Sequence, residues 1–316
     1  MTLQVTTIDT ASARDASAGT TAFVLSGGAS LGAIQVGMLR ALFERGIAPD
    51  LIVGTSVGAI NGAFVASRPP TVETADALAG VWHELGRRDV FPLSPLTGLL
   101  GIAGGRNHLV PLTGLRRLVA DHLEIKRLED APVPLHVVAV DVFSGRERRL
   151  SSGPALDAIL ASAAIPGVFP PVDWEDTELM DGGIANNTPI SHALELGADR
   201  IYVLPTGAAC ELPAPPKGAL AMGVHAMSLL IHQRLLEEVE QFRGDPRVEV
   251  LPPPCPLAVQ PIDFGHRSEL IERALGDARR HLDSGRRGRR VRARRRGTAL
   301  RQAAGASPSS GARVAA

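Results

Sequence analysis

Short apolar runs alternate with longer amphipathic ones through the middle of the chain. Residues 21–26 (TAFVLS) form a short, mostly apolar run up to a glycine cluster and predict a buried strand, and the helical spacing after it predicts a helix over 32–45. Residues 51–53 (LIV) predict a second buried strand, followed by a Gly-Ser turn and a helix over 57–67. Further strands are predicted at 135–142 (LHVVAVDV) and 200–204 (RIYVL), and helices near 72–85, 112–122, 155–163, 220–241 and 268–282. Strand and helix alternating in short succession predict an α/β fold, a mostly parallel sheet flanked by helices. Residues 179–181 add a short extended run that ends in an acid and two glycines.

The two ends break this pattern. Residues 1–20 are small and polar without periodicity and read as a flexible arm. Residues 284–316 hold ten arginines, no acid and few large apolar side chains, and read as a disordered Arg-rich tail. Between them, residues 21–283 contain no Ser- or Gly-rich linker and no repeat, so one domain is expected.

Composition narrows the class. At 45% hydrophobic residues the 316-residue chain is too apolar to be wholly disordered. Two cysteines, Cys210 and Cys255, make neither a disulfide framework nor a multi-cysteine metal site. The first 20 residues carry Asp9 and Asp15 and lack the apolar core of a signal peptide. The longest near-continuous apolar stretch, 218–231, is shorter than the ~20 residues that span a bilayer. The expectation is a soluble, cytoplasmic protein. Its zero net charge hides an asymmetry, because removing the ten tail arginines leaves 23 basic against 33 acidic residues.

The clearest chemical signal is Gly54-Thr55-Ser56-Val57-Gly58, a G-x-S-x-G between an apolar strand and a helical run. The pattern suits a sharp turn that lifts a serine out of a sheet edge, with glycines at Gly54 and Gly58 where a Cβ would clash. A second glycine turn, Ser26-Gly27-Gly28-Ala29-Ser30-Leu31-Gly32, also joins a strand to a helix. Its G-G-x-x-x-G spacing misses the dinucleotide fingerprint, and Ala33 and Ile34 stand where a P-loop needs Lys and Ser or Thr. The remaining readings are close strand-helix packing and an oxyanion hole of backbone amides. If both strands share one parallel sheet, the two turns meet at its C-terminal edge, where ligands bind in open α/β sheets. Nine histidines leave a Ser-His-Asp triad open by count, but none has a strand-end or glycine-turn setting. Asp181, in Leu179-Met180-Asp181-Gly182-Gly183, is the better base, its alternative being a plain turn.

Taken together, these motifs resemble the patatin-like phospholipases. The glycine loop at Gly27 to Gly32, the G-x-S-x-G at Gly54 to Gly58 and the D-G-G at Asp181 to Gly183 stand in the family's order. The segment ASAAIPGVFPPV at 161–172 and Asn186-Asn187-Thr188-Pro189 also look like the family, and the resemblance covers about 21–203. Two positions depart from the loop form G-G-G-x-R/K-G, with Ala29 in place of the third glycine and Leu31 in place of the basic residue.

The resemblance implies a three-layer α/β sandwich and a serine acylhydrolase using a Ser-Asp dyad. Ser56 would be the nucleophile and Asp181 the proton acceptor. Amides around Gly27, Gly28, Ala29 and Gly32 would form the oxyanion hole, with Gly182 and Gly183 completing the aspartate motif. It implies lipid or other acyl-ester substrates, and no metal or cofactor. The alternatives are a Ser-His-Asp esterase and an inactive lipid- or protein-binding scaffold. A carboxylate of pKa near 4 is a weak base for serine, so burial is expected to raise that of Asp181. Uncharged residues 91–105 (FPLSPLTGLLGIAGG) are expected to be a buried loop or a cover over an acyl cleft. The arginine tail has three readings, a peripheral contact with anionic membrane, a non-specific contact with nucleic acid and an extension with no defined partner, and no specific nucleic-acid partner is expected.

Overall fold

In a computed structural model of the chain, residues 19–92, 105–207, 219–255, 257 and 259–304 are described. Residues 93–104, most of the segment expected to be a buried loop or a cover, and Cys210 lie outside them. The strands are β1 (Thr21–Leu25), β2 (Leu51–Thr55), β3 (Leu135–Asp141), β4 (Glu147–Leu150), β5 (Val172–Trp174), β6 (Thr177–Asp181), β7 (Arg200–Leu204) and β8 (Val248–Val250). They form one sheet in the order β5-β6-β3-β2-β1-β7-β8, with β4 pairing β3 off this path. The run β3-β2-β1-β7-β8 is parallel, and β4, β5 and β6 add antiparallel pairs. The expected mostly parallel sheet is thus the centre of a mixed one.

The helices are α1 (Ala33–Phe43), α2 (Val57–Ala66), α3 (Val72–Glu84), α4 (Arg87–Val90), α5 (Thr113–His122), α6 (Ala155–Ser162), α7 (Ile190–Glu195), α8 (Ala219–Gln241) and α9 (Arg267–Ala304). Side chains alternate across a strand, and β1 shows what that does here. Phe23 and Leu25 join the core beneath α1, α2 and α3, whereas Ala22 and Val24 join a second core with Ile190 and Ala193 of α7 and Val239 of α8. Helices therefore cover both faces of the sheet, in three layers.

Helix α1 is apolar nearly all round because it is buried on every side, between the sheet, α3 and α9. Its Gly37 permits that approach, since a Cβ there would sit 2.6 Å from the backbone nitrogen of Leu275. Helix α9 answers with Leu270, Ile271, Ala274, Leu275 and Ala278 on one buried face. It then continues to Ala304, through a stretch that the sequence reading takes as disordered. Arginine and alanine are both strong helix formers, which outweighs the like-charge spacing in the backbone's choice. Helix α8 is anchored through its C-terminal half, where Leu235 is buried and the Glu238 carboxylate accepts from the Ile190 amide at 3.1 Å.

Candidate active site

Both strand-to-helix turns open at the C-terminal edge of the parallel strands. Leu25 of β1 pairs with Gly54 of β2, which sets the two glycine motifs side by side. Ser56 follows β2 with φ 55° and ψ −125°, a left-handed backbone rare for a residue with a side chain. Such strain, of order 1–3 kcal/mol, is held only by surrounding structure. A Cβ at Gly58 would lie 2.6 Å from the Leu25 carbonyl carbon, and one at Gly54 would lie 2.6 Å from the Gly58 carbonyl oxygen. Both glycines of the motif are therefore fixed by crowding, as the turn requires.

The Ser56 Oγ donates to Oδ2 of Asp181 at 2.7 Å. Asp181 ends β6, which runs back along β3 and stops opposite Ala139, one residue beyond the Val138 that pairs with Thr55 of β2. Its other oxygen, Oδ1, accepts from the Gly183 amide at 2.8 Å. Gly182 packs against the Val138 backbone and Gly183 against Asn187, close approaches that leave no room for side chains. The Asp181 side chain is buried, and desolvation pushes its pKa up to about 6 against the pull of its bonds to Ser56 and Gly183. The expected rise is present. No described histidine hydrogen-bonds to Ser56 or Asp181.

The glycine loop divides into parts with different work. Gly27 donates its amide to the Asn187 carbonyl at 3.1 Å, so it is spent on structure and corrects its reading as an oxyanion donor. Gly32 is pressed against Val57 and Trp82, where a Cβ would come within 2.9 Å of the indole. Its role in the fold is packing. Gly28 and Ala29 open the short helical turn Ala29–Gly32, where amides have no partner within the turn. Among the described residues none accepts from either. Ala29 lies beside Ser56 on the wall of one cavity and carries φ 49°, the conformation a glycine would adopt freely. Leu31 is buried in the core, so the position that is basic in the commoner loop form does not face a ligand here.

Further residues hold this geometry and escaped the sequence reading. Ser162 Oγ accepts from the Ser56 amide at 2.8 Å and donates to the Val138 carbonyl at 2.5 Å, tying the elbow to β3. Gln35 donates to the carbonyls of Ser26 and Leu204 at 2.8 and 3.0 Å. Asn61 donates to Gly32 O and to Gln35 Oε1 and accepts from Trp82 Nε1 at 3.0 Å. Thr206 donates to Gly27 O at 2.7 Å. Buried amides and hydroxyls that meet all their partners make a loop rigid. Gln35 and Asn61 did leave a signal, each being a lone amide in an otherwise apolar helix.

From Ser56 and Ala29 a narrow cavity, open to solvent at its mouth, runs between α2, α3 and α5. Its walls are almost wholly apolar. Trp82 stacks on Phe264 and Phe91 on Phe169, and with Phe64 they place five of the chain's eleven aromatics here. Among the described residues no group of three or more His, Cys, Asp or Glu is placed to hold a metal ion, and no helix is long and apolar enough to cross a membrane.

The chain is thus a three-layer α/β sandwich with Ser56 at a strained strand-to-helix turn, bonded to the buried Asp181. The profile of the patatin-like phospholipase family matches residues 23–194, and the chain belongs to that family. It is 28% identical over 273 residues to mouse patatin-like phospholipase domain-containing protein 7, covering 79% of this chain and 20% of that protein. It is 30% identical over 207 residues to human patatin-like phospholipase domain-containing protein 6, covering 63% and 14%. It is 30% identical over 184 residues to the lysophospholipase nte1 of Aspergillus terreus, covering 58% and 12%. The matched region thus spans a fifth or less of the length of these relatives. Among solved structures, VipD from Legionella pneumophila superposes with a TM-score of 0.47 at 15% identity, covering 84% of this chain and 67% of that one.

Proposed function

We propose that the chain is a lipid acyl hydrolase, a serine carboxylic-ester hydrolase working through a Ser56-Asp181 dyad. The observation that carries this reading is the 2.7 Å bond from Ser56 Oγ to a buried carboxylate, at the head of an apolar cavity. A carboxylate with its pKa raised to about 6 is a better proton acceptor than an ordinary aspartate and is still ionised at neutral pH. Ser56 Oγ attacks the ester carbonyl as its proton passes to Asp181. The oxyanion that forms accepts from the Gly28 and Ala29 amides, and the loss of one such donor typically costs ~10²–10³ in rate. Asp181 then returns the proton to the leaving alcohol, and an acyl-Ser56 ester remains. Water, deprotonated by Asp181, attacks that ester, and the fatty acid leaves as Ser56 recovers its proton.

The cavity favours a fatty acyl group over a small polar one, because almost nothing on its walls hydrogen-bonds. Membership of the family, and likeness to proteins named phospholipases and a lysophospholipase, support phospholipid or lysophospholipid esters as substrates. The test is hydrolysis of p-nitrophenyl acyl esters and lysophosphatidylcholine by wild type, Ser56→Ala and Asp181→Asn. The expected outcome is loss of at least ~10³ in kcat/KM in either variant, with the fold retained. Hydrolysis by Ser56→Ala at more than a tenth of the wild-type rate contradicts the assignment.

A further inference from the structure

Three helices converge on the cavity with the same spacing. From α2 come Val57, Ile60, Asn61 and Phe64, at i, i+3, i+4 and i+7, and α3 and α5 each present a face at that spacing too. The cavity therefore follows helix α2 away from the Ser56 at its N-terminus. The polar side chains along it are already used. Asn61 is bonded to Gly32, Gln35 and Trp82, and His122 Nδ1 pairs with the Leu118 carbonyl at 2.9 Å. A channel of this kind takes a hydrocarbon chain and leaves the head group at the Ser56 end.

The far end has a built stop. Phe64 is the α2 lining residue furthest from Ser56, and the Arg68 guanidinium lies 3.8 Å from its ring centroid. Arg68 is fixed in turn, donating to the Phe64 carbonyl and to the His122 carbonyl, both at 3.0 Å, and pairing with Glu124 at 2.8 Å. The ring is thus clamped between α2 and the end of α5. Eight residues at 1.5 Å rise put Phe64 about 12 Å along the helix from Ser56. An extended alkyl chain advances about 1.25 Å per carbon, from C–C bonds of ~1.5 Å at tetrahedral angles. The stop therefore stands about ten carbons from the ester carbonyl, and Ile60, four residues from Ser56, about five carbons from it.

We propose that the substrate's acyl chain lies along α2 and that Phe64, clamped by Arg68, sets its accepted length at about ten carbons. This rests on the hydrolase reading above and adds the length limit to it. The experiment measures kcat/KM on p-nitrophenyl esters from butanoyl to hexadecanoyl for wild type, Phe64→Ala and Ile60→Phe. Wild type is expected to peak between eight and twelve carbons. Phe64→Ala removes the stop, and the ratio of hexadecanoyl to octanoyl kcat/KM is expected to rise at least fivefold. Ile60→Phe narrows the channel halfway along, and the ratio of dodecanoyl to butanoyl is expected to fall at least tenfold.

The two variants act in opposite directions, so a stability defect in one does not imitate the other. Melting curves and fluorophosphonate labelling report whether each is folded with a working serine. A labelled wild type whose preference is flat, or the same in both folded variants, overturns the length limit alone. If wild type is not labelled, the hydrolase reading fails, and displacement of a fluorescent fatty acid from Ser56→Ala carries the test. Decanoate displacing it at least tenfold better than butanoate, with that preference moved by Ile60→Phe, is then the expected result. Equal displacement by both acids overturns the channel.

Discussion

At the scale of single residues, Asp181, the proposed proton acceptor, also carries a cost in stability. Folded, it holds its proton up to a pH of about 6, whereas the unfolded chain releases it near 3.8. The protonated form thus favours the fold, fully below pH 4, and that contribution is lost as pH rises through 6. Above pH 7 the buried charge opposes folding by up to about 3 kcal/mol, from 1.36 kcal/mol for each unit between the two values. Asp181→Asn is therefore expected to melt higher than wild type at pH 7.5, with the difference closing towards pH 4 while activity is lost. A melting temperature lowered at pH 7.5 contradicts the burial argument. Ser56 and Asp181 were legible in the sequence because their motifs force local backbone, a crowded elbow and an acid before two glycines. The partners of Ser162, Gln35, Asn61 and Thr206 were not, since they are carbonyls and amides as far as 179 positions away, as between Thr206 and Gly27. Gly27 misled for the same reason, because the Asn187 carbonyl that takes its amide lies far along the chain.

At the scale of elements, the site depends on how closely β1 and α2 approach. Gly58→Ala pushes a methyl into the Leu25 carbonyl, which belongs to sheet backbone and cannot turn aside. Overpacking of this kind costs typically 1–3 kcal/mol, and here it also tilts the elbow that aims Ser56. The variant is expected to lose about 2 kcal/mol in denaturant unfolding and to fall at least tenfold in kcat. Wild-type stability and rate together contradict the crowding argument. The long elements were readable because burial on both faces makes β1, β2, β3 and β7 mostly apolar, and their neighbours follow helical spacing. Strands β4 (ERRL), β5 (VDW) and β8 (VEV) were not, being three or four residues long and in part charged. Pairing with a neighbour already in the sheet is what makes them strands.

At the scale of the molecule, the acidic body and the arginine stretch face different tasks. Among the described side chains of α9, those buried against α1 run from Leu270 to Leu282, ahead of the arginine stretch. We propose that these arginines hold the enzyme at anionic lipid, each worth ~1 kcal/mol near the surface. Removing residues 284–316 is expected to abolish co-sedimentation with phosphatidylserine vesicles at 50 mM salt and to leave soluble-ester hydrolysis within twofold. Wild-type binding to those vesicles is expected to weaken at 300 mM salt, as screening requires. Binding unchanged by the deletion contradicts that role. The matched region is a fifth or less of the relatives' far longer chains.

The most direct test of the dyad is the rate at which a fluorophosphonate labels Ser56 between pH 4.5 and 8.5, in wild type and in Asp181→Asn. In wild type the rate is expected to rise with a midpoint near 6 and level off above 7, following ionisation of the buried carboxylate. In Asp181→Asn it is expected to fall at least ~10²-fold and to lose that midpoint. Labelling of the variant at the wild-type rate, or on a residue other than Ser56, would contradict the account.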